Sequence, residues 1–136
     1  VEMREIIEPA AAAAAAKRRT PDQLAAIKAA YEAMEAAEDL DAWAVADLAF
    51  HEKVLHATNN ELLTSLFTVI ETALGTYFVM SARNASNFKY ALPHHRSVYE
   101  AIRQRRPELA REAMLKMVAE SRSNIRRRKH DARPAP

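Results

Sequence analysis

The sequence predicts an all-α fold, an antiparallel bundle of about six helices, and three observations predict it. Only one glycine, Gly75, occurs in 136 residues, so the turn chemistry of a β-sheet is missing. Four of the six prolines, Pro9, Pro21, Pro93 and Pro107, punctuate the chain where helices start or are interrupted, and the other two close the C-terminus. Between them, large apolar residues recur at i, i+3, i+4 and i+7, the spacing of one buried helix face. With 49% of residues apolar, a chain of this length buries one core and calls for one domain.

The elements follow in order. Helix one is expected from about Met3 to Arg18, carried by seven consecutive alanines, Ala10 to Ala16, which favour helix and let a neighbour approach closely. It has no starting cap, and a pattern already under way at Val1 suggests a continuation upstream. Thr20 and Pro21 give helix two a cap and a first-turn proline. Gln23, three residues after the cap, completes a capping box, and Leu24, Ile27, Tyr31 and Met34 form the buried stripe of a helix reaching about Glu38.

Asp39 or Asp41 caps helix three, which ends near Thr58-Asn59-Asn60. Asn60 caps helix four, with Leu63, Leu66, Phe67, Ile70, Leu74, Tyr77 and Phe78 on one face before the polar stretch from Arg83 to Lys89. Pro93 opens or interrupts helix five, whose inward face reads His95, Val98, Tyr99, Ile102, while His94 points roughly 100° away and reads as a surface residue. Pro107 opens helix six, with Ala110, Ala113, Met114, Met117 and Ser121 on its inner face. Residues 1–125 are read as the bundle and 126–136 as a basic, disordered tail.

Composition narrows the chemistry. There is no cysteine, which excludes disulfides, thiolate nucleophiles and cysteine-bound zinc, so any metal must use histidine and carboxylate. No apolar run approaches the ~18 residues of a membrane span, and the N-terminal residues lack signal-peptide character, so a cytoplasmic location with no membrane partner is expected. The net charge of +2 hides an asymmetry: residues 122–136 carry +5 and residues 1–121 carry −3. Arg126, Arg127, Arg128 and Lys129 suit phosphate contacts, and they equally suit a solvated terminus.

Helix three carries the sharpest signal. Leu40, Trp43, Leu48, Phe50, Val54 and Leu55 fall on one side, and Asp47 and His51, one turn apart, point close to the centre of that side. A carboxylate and an imidazole are costly there unless something binds them. Spacing alone is uninformative, since eighteen acids and five histidines give a chance expectation of ~0.7 such pairs. Glu52 and His56 share it, yet they point to solvent and read as a surface pair.

With His95 facing inward from helix five, one oxygen and two imidazole nitrogens can converge, a set that suits zinc, nickel, manganese or iron(II). The same three residues also suit a buried hydrogen-bonded pair that fixes helix packing. Arg4 shares a face with Ile7, Ala11 and Ala15, so its guanidinium either enters the bundle to meet a carboxylate or forms an i,i+4 surface pair with Glu8. Tyr77 and Tyr99 offer hydroxyls to a pocket or fill the core.

At these residues the chain resembles a known family, the FadR-type C-terminal ligand-sensing (FCD) domain of GntR-superfamily bacterial transcription regulators. Arg4-Glu5-Ile6-Ile7-Glu8-Pro9 resembles its opening Arg-x-x-x-Glu-Pro, Asp47-Leu48-Ala49-Phe50-His51 its Asp-x-x-Phe-His, and Ala57-Thr58-Asn59-Asn60-Glu61-Leu62 its third-to-fourth helix turn. His95-Arg96-Ser97-Val98-Tyr99-Glu100-Ala101-Ile102 resembles its His-x-x-(Ile/Val)-x-x-Ala-Ile.

The resemblance implies metal ligands at Asp47, His51 and His95, and a final histidine on the last helix, where this chain has Met117. A thioether is a poor ligand for zinc or nickel. The site therefore keeps three protein ligands, with water or effector in the gap, or has exchanged its metal for a polar effector pocket. The resemblance also implies a small carboxylate effector clamped by Arg4, a homodimer, and operator DNA bound through a winged-helix domain upstream of Val1; Tyr77, Tyr99 and Met117 are the further effector contacts expected here.

Two rivals stand beside this reading. One is a metal-dependent hydrolase on the same residues, for which no spare inward Glu, Lys or Cys is expected to supply a base, and no Glu-x-x-His pair exists to build a di-iron site. The other is a purely structural helical dimerisation module.

Overall fold

The computed structural model describes the backbone of residues 2–84 and 87–131, and their side chains except at 2, 69, 70, 72–74, 77, 78, 81, 82, 84 and 124–131. The six expected helices are present: α1 (Glu2–Arg18), α2 (Pro21–Ala36), α3 (Leu40–His56), α4 (Glu61–Asn84), α5 (Leu92–Arg103) and α6 (Pro107–Asp131). No strand occurs among the described residues.

The caps are those written in the sequence. Thr20 Oγ1 accepts from the Gln23 backbone N–H at 3.1 Å while Gln23 Oε1 accepts from the Thr20 N–H at 3.0 Å, closing the capping box of α2. Asp39, not Asp41, caps α3 by accepting from the Ala42 N–H at 2.7 Å, and Asn60 Oδ1 accepts from the Leu62 N–H at the start of α4. Helix α2 stops at Ala36, two residues short of the expected end. Helix α6 carries its backbone to Asp131, six residues into the stretch read as a tail, and residues 132–136 lie outside the described residues.

Helix α1 lies along α6, α3 packs against both α2 and α4, and α5 packs on α6. Glu5, early in α1, accepts from Arg122 Nη1, late in α6, whereas Lys17 and Arg19 meet Arg105, just ahead of α6, so these two helices run antiparallel. Ala11, Ala12, Ala15 and Ala16 are buried, as expected of small residues that admit a neighbouring backbone. The core is filled by Ile27, Met34, Trp43, Phe50, Ile102, Met114 and Met117, all sealed from solvent. On α4, Phe67 is buried as its stripe predicts, while Ile70, Leu74, Tyr77 and Phe78 lie outside the described side chains.

One end of the bundle is closed by two arginines that cap each other's helices. Arg19, after α1, donates to the Ile102 and Arg103 carbonyls that end α5, at 3.3 and 2.7 Å. Arg105, after α5, donates in return to the Lys17 and Arg19 carbonyls that end α1, at 3.3 and 3.2 Å. Each guanidinium satisfies carbonyls that a helix end leaves without a partner and meets the negative pole of its dipole.

Candidate functional site

Asp47 and His51 stand one turn apart on the inner face of α3, and His95 reaches them from α5. All three are buried, with 7%, 2% and 1% of their surface exposed. One ligand atom from each lies within 4.8 Å of the others. Asp47 Oδ1 is shared by both rings, 3.2 Å from His51 Nε2 and 2.8 Å from His95 Nε2. The imidazoles stand nearly perpendicular, 88° between planes with centroids 5.5 Å apart, and Phe50 packs edge-on against His95 at 4.8 Å.

The far nitrogens of both rings are occupied as well. His95 Nδ1 donates to the Ala91 carbonyl at 2.8 Å, and His51 Nδ1 meets Glu8 Oε1 of α1. Glu8 Oε2 in turn accepts from Arg4 Nε at 2.6 Å. An acceptor oxygen thus sits at both nitrogens of both rings, whereas a neutral imidazole carries one N–H. A proton or a cation at the Nε2 ends resolves that surplus, and the second nitrogens are already held as metal-binding histidines require. The donor set fits a divalent cation.

Electrostatics agree with the geometry. Burial pushes His51 toward its neutral form, but Glu8 and Asp47 outweigh it and raise the imidazole to about 9. Burial likewise raises Glu8, and the neighbouring His51 and Arg4 reverse that effect, leaving it at about 2. Asp47 is held well below the usual carboxylate range because His95 and His51 overcome its burial.

Glu8 corrects two sequence-based expectations. The i,i+4 pair with Arg4 exists, but it is not at the surface: Arg4 and Glu8 are only 4% and 5% exposed. The bundle therefore does contain an inward glutamate beside the triad, already engaged by a guanidinium and an imidazole. The missed signal is the stripe 4, 8, 11, 15, which places Glu8 among the buried alanines.

The remaining expected site residues are distributed differently. Met117 is buried in the core cluster, as its face on α6 requires. Tyr99 stacks on Tyr31 of α2, centroids 6.2 Å apart and planes 5° apart, and among the described residues no hydrogen bond joins its hydroxyl to the triad. The Tyr77 side chain lies outside the described residues. His94 pairs with Glu120 across α5 and α6 and takes no part in the triad, and Glu52 and His56 form the exposed pair expected of them, 3.8 Å apart.

Known proteins share the sequence and fold of this chain. A family model described as the FCD domain matches residues 1–120. The galactonate operon transcriptional repressor of Escherichia coli (strain K12) is 34% identical over 122 residues, covering 88% of this chain and 53% of the repressor. A solved structure titled Streptococcus agalactiae GntR superposes with a TM-score of 0.75 at 27% identity, over 90% of this chain and 56% of the other. The chain spans about half the length of these relatives, which are regulators and not enzymes. Matched along nearly its whole length by that model and sharing its all-α fold with a GntR protein, the chain belongs to the FCD domain family.

Proposed function

We propose that this chain is the effector-sensing and dimerisation domain of a cytoplasmic transcription regulator, in which a small organic acid bound at Asp47, His51 and His95 controls an attached winged-helix domain on operator DNA. The observation that carries the reading is the buried convergence of one carboxylate and two imidazoles whose far nitrogens are already held by Glu8 and Ala91. Among the described residues no helix is long and apolar enough to cross a membrane. The E. coli relative is a galactonate operon repressor, which makes hydroxy acids the first effector class to test.

In this reading Asp47 Oδ1 and the Nε2 atoms of His51 and His95 hold a divalent cation, zinc, nickel or manganese. Such an ion supplies a positive centre with an open position for a carboxylate oxygen. Met117, which stands where the family's final histidine is expected, is buried in the core, and its thioether is a poor ligand for such an ion. Arg4 adds a cation behind Glu8, within the same buried chain of charges, and favours an anionic ligand. Ligand binding shifts the domain only through a difference in affinity between two helix arrangements, and that difference is then available to the DNA-binding part of the regulator.

Elemental analysis with native mass spectrometry of the purified chain reads metal, retained ligand and dimer together. The expected result is a dimer with about one divalent ion per chain and a melting temperature raised by hydroxy acids in a chelator-sensitive way. Absence of metal, together with melting indifferent to divalent ions and to a panel of carboxylates, overturns the reading in favour of a structural dimerisation module.

A further inference from the structure

The start of α1 is held to the bundle mainly by charge. Within residues 3–8 the fully buried side chains are Arg4 and Glu8, Glu5 pairs with Arg122 and Ile7 packs half-buried beside Leu48 and Leu63, while the large apolar residues Met3 and Ile6 are 40% and 67% exposed. Beyond them comes Pro9, inside the helix. A proline has no N–H to give to the carbonyl four residues back, so the rung from residue 9 to Glu5 is missing and the first two turns are joined less stiffly to the alanine-rich remainder. From Ala11 onward the helix is packed tightly, with Ala11, Ala12, Ala15 and Ala16 all buried.

The polar contact that ties this loosely jointed segment to α3 is Glu8 on His51 Nδ1, directly behind the nitrogen that faces Asp47. A cation at Nε2 polarises the ring and makes Nδ1–H a stronger donor, the usual relation between a metal ligand and the carboxylate behind it. We propose that Glu8 is a positioning residue that carries occupancy of the Asp47, His51 and His95 site to the first two turns of α1, with Pro9 as the joint that lets those turns respond; the proposal rests on the metal reading above. Binding at the triad tightens the Glu8 bond and orders residues 3–8, while the remainder of α1 stays as it is.

Zn²⁺ alone is the probe, added to the wild-type chain and to Glu8→Gln, with affinity read by competition with a chromophoric chelator and backbone order by amide hydrogen exchange. The wild type is expected to show about tenfold slower exchange across residues 3–8 when saturated with Zn²⁺. Glu8→Gln is expected to bind Zn²⁺ about 10–100-fold more weakly and, once saturated, to show no such slowing. Equal slowing in both proteins overturns the role of Glu8 and leaves the metal site standing, as does a wild type that binds Zn²⁺ with no change in exchange. A wild type that binds no Zn²⁺ removes the metal reading and this inference with it.

Pro9→Ala provides a variant that cannot fail by weakening the helix. Restoring the missing rung should protect residues 3–8 before any Zn²⁺ is added and shrink the Zn²⁺-dependent change, with affinity unaltered. A response identical to the wild type's overturns the joint. Should Glu8→Gln not fold, this comparison decides the proposal by itself.

Discussion

Helix α3 carries two acid–histidine pairs of identical spacing, and nothing about the pairs themselves tells them apart. Asp47 and His51 are sealed inside and joined at 3.2 Å, whereas Glu52 and His56, side chains 36% and 39% exposed, stand 3.8 Å apart in solvent. The exposed pair is worth a few tenths of a kcal/mol and weakens with salt. The buried pair has taken on Glu8, Arg4 and His95 as further partners, because a charge away from water must be answered from every side. Five residues of rotation along one helix separate a decoration from a site.

The largest break of this contrast is Asp47→Ala. It leaves two buried imidazoles without their shared carboxylate and should cost about 3–5 kcal/mol in urea unfolding, together with all metal retention. Unchanged metal content in that variant removes Asp47 from the site.

A smaller and purely electrostatic effect comes from pH. His51 stays protonated in the metal-free fold up to about pH 9, while an unfolded histidine releases its proton near 6.5. Its contribution is therefore whole below pH 6.5 and fades as pH rises through 9, so metal-free protein should lose on the order of 3 kcal/mol across that window. Glu8 and Asp47 act in the opposite sense, contributing above the ordinary carboxylate range and losing their effect as pH falls toward 2 and lower. Melting curves from pH 6 to 10 check the alkaline limb, and a flat profile there contradicts the charge pairing.

The same proton sharpens the metal reading. A cation must displace it from His51, so Zn²⁺ affinity should rise about tenfold per pH unit between 6.5 and 8.5. A pH-independent affinity places the ion elsewhere. The smallest effect belongs to the exposed pair: His56→Ala should change stability by less than about 0.5 kcal/mol and leave Zn²⁺ affinity unaltered, and a larger change would show that solvent exposure is a poor guide here.

What was legible in the sequence follows from the same physics. Caps such as Thr20 and Asp39 are local chemistry, readable without neighbours, and the inward turn of Asp47, His51 and His95 was marked by large apolar residues on both sides of each. Helix α1 offered no such marks. Its buried face is alanine, which signals helix strongly but direction weakly, so Arg4 and Glu8 looked like an ordinary surface pair. Their burial is fixed by His51, more than forty positions away in the chain, and the stripe 4, 8, 11, 15 is its only local trace. The face of Tyr99 was legible, but its neighbour was not: an inward tyrosine has several to choose from, and it stacks on Tyr31.

The crossed arginine caps at the far end of α1 have a geometric consequence. Arg19 and Arg105 pin the last turn of α1 to the last turn of α5, while its opening turns are held by the Glu5–Arg122 bond, the half-buried Ile7 and the Arg4 and Glu8 contacts. A helix of 17 residues is about 25 Å long, so it works as a cantilever. With the root clamped, motion is left to the opening turns: a bend of about 10° at Pro9 sweeps residue 3, about 9 Å further along, by roughly 1.5 Å.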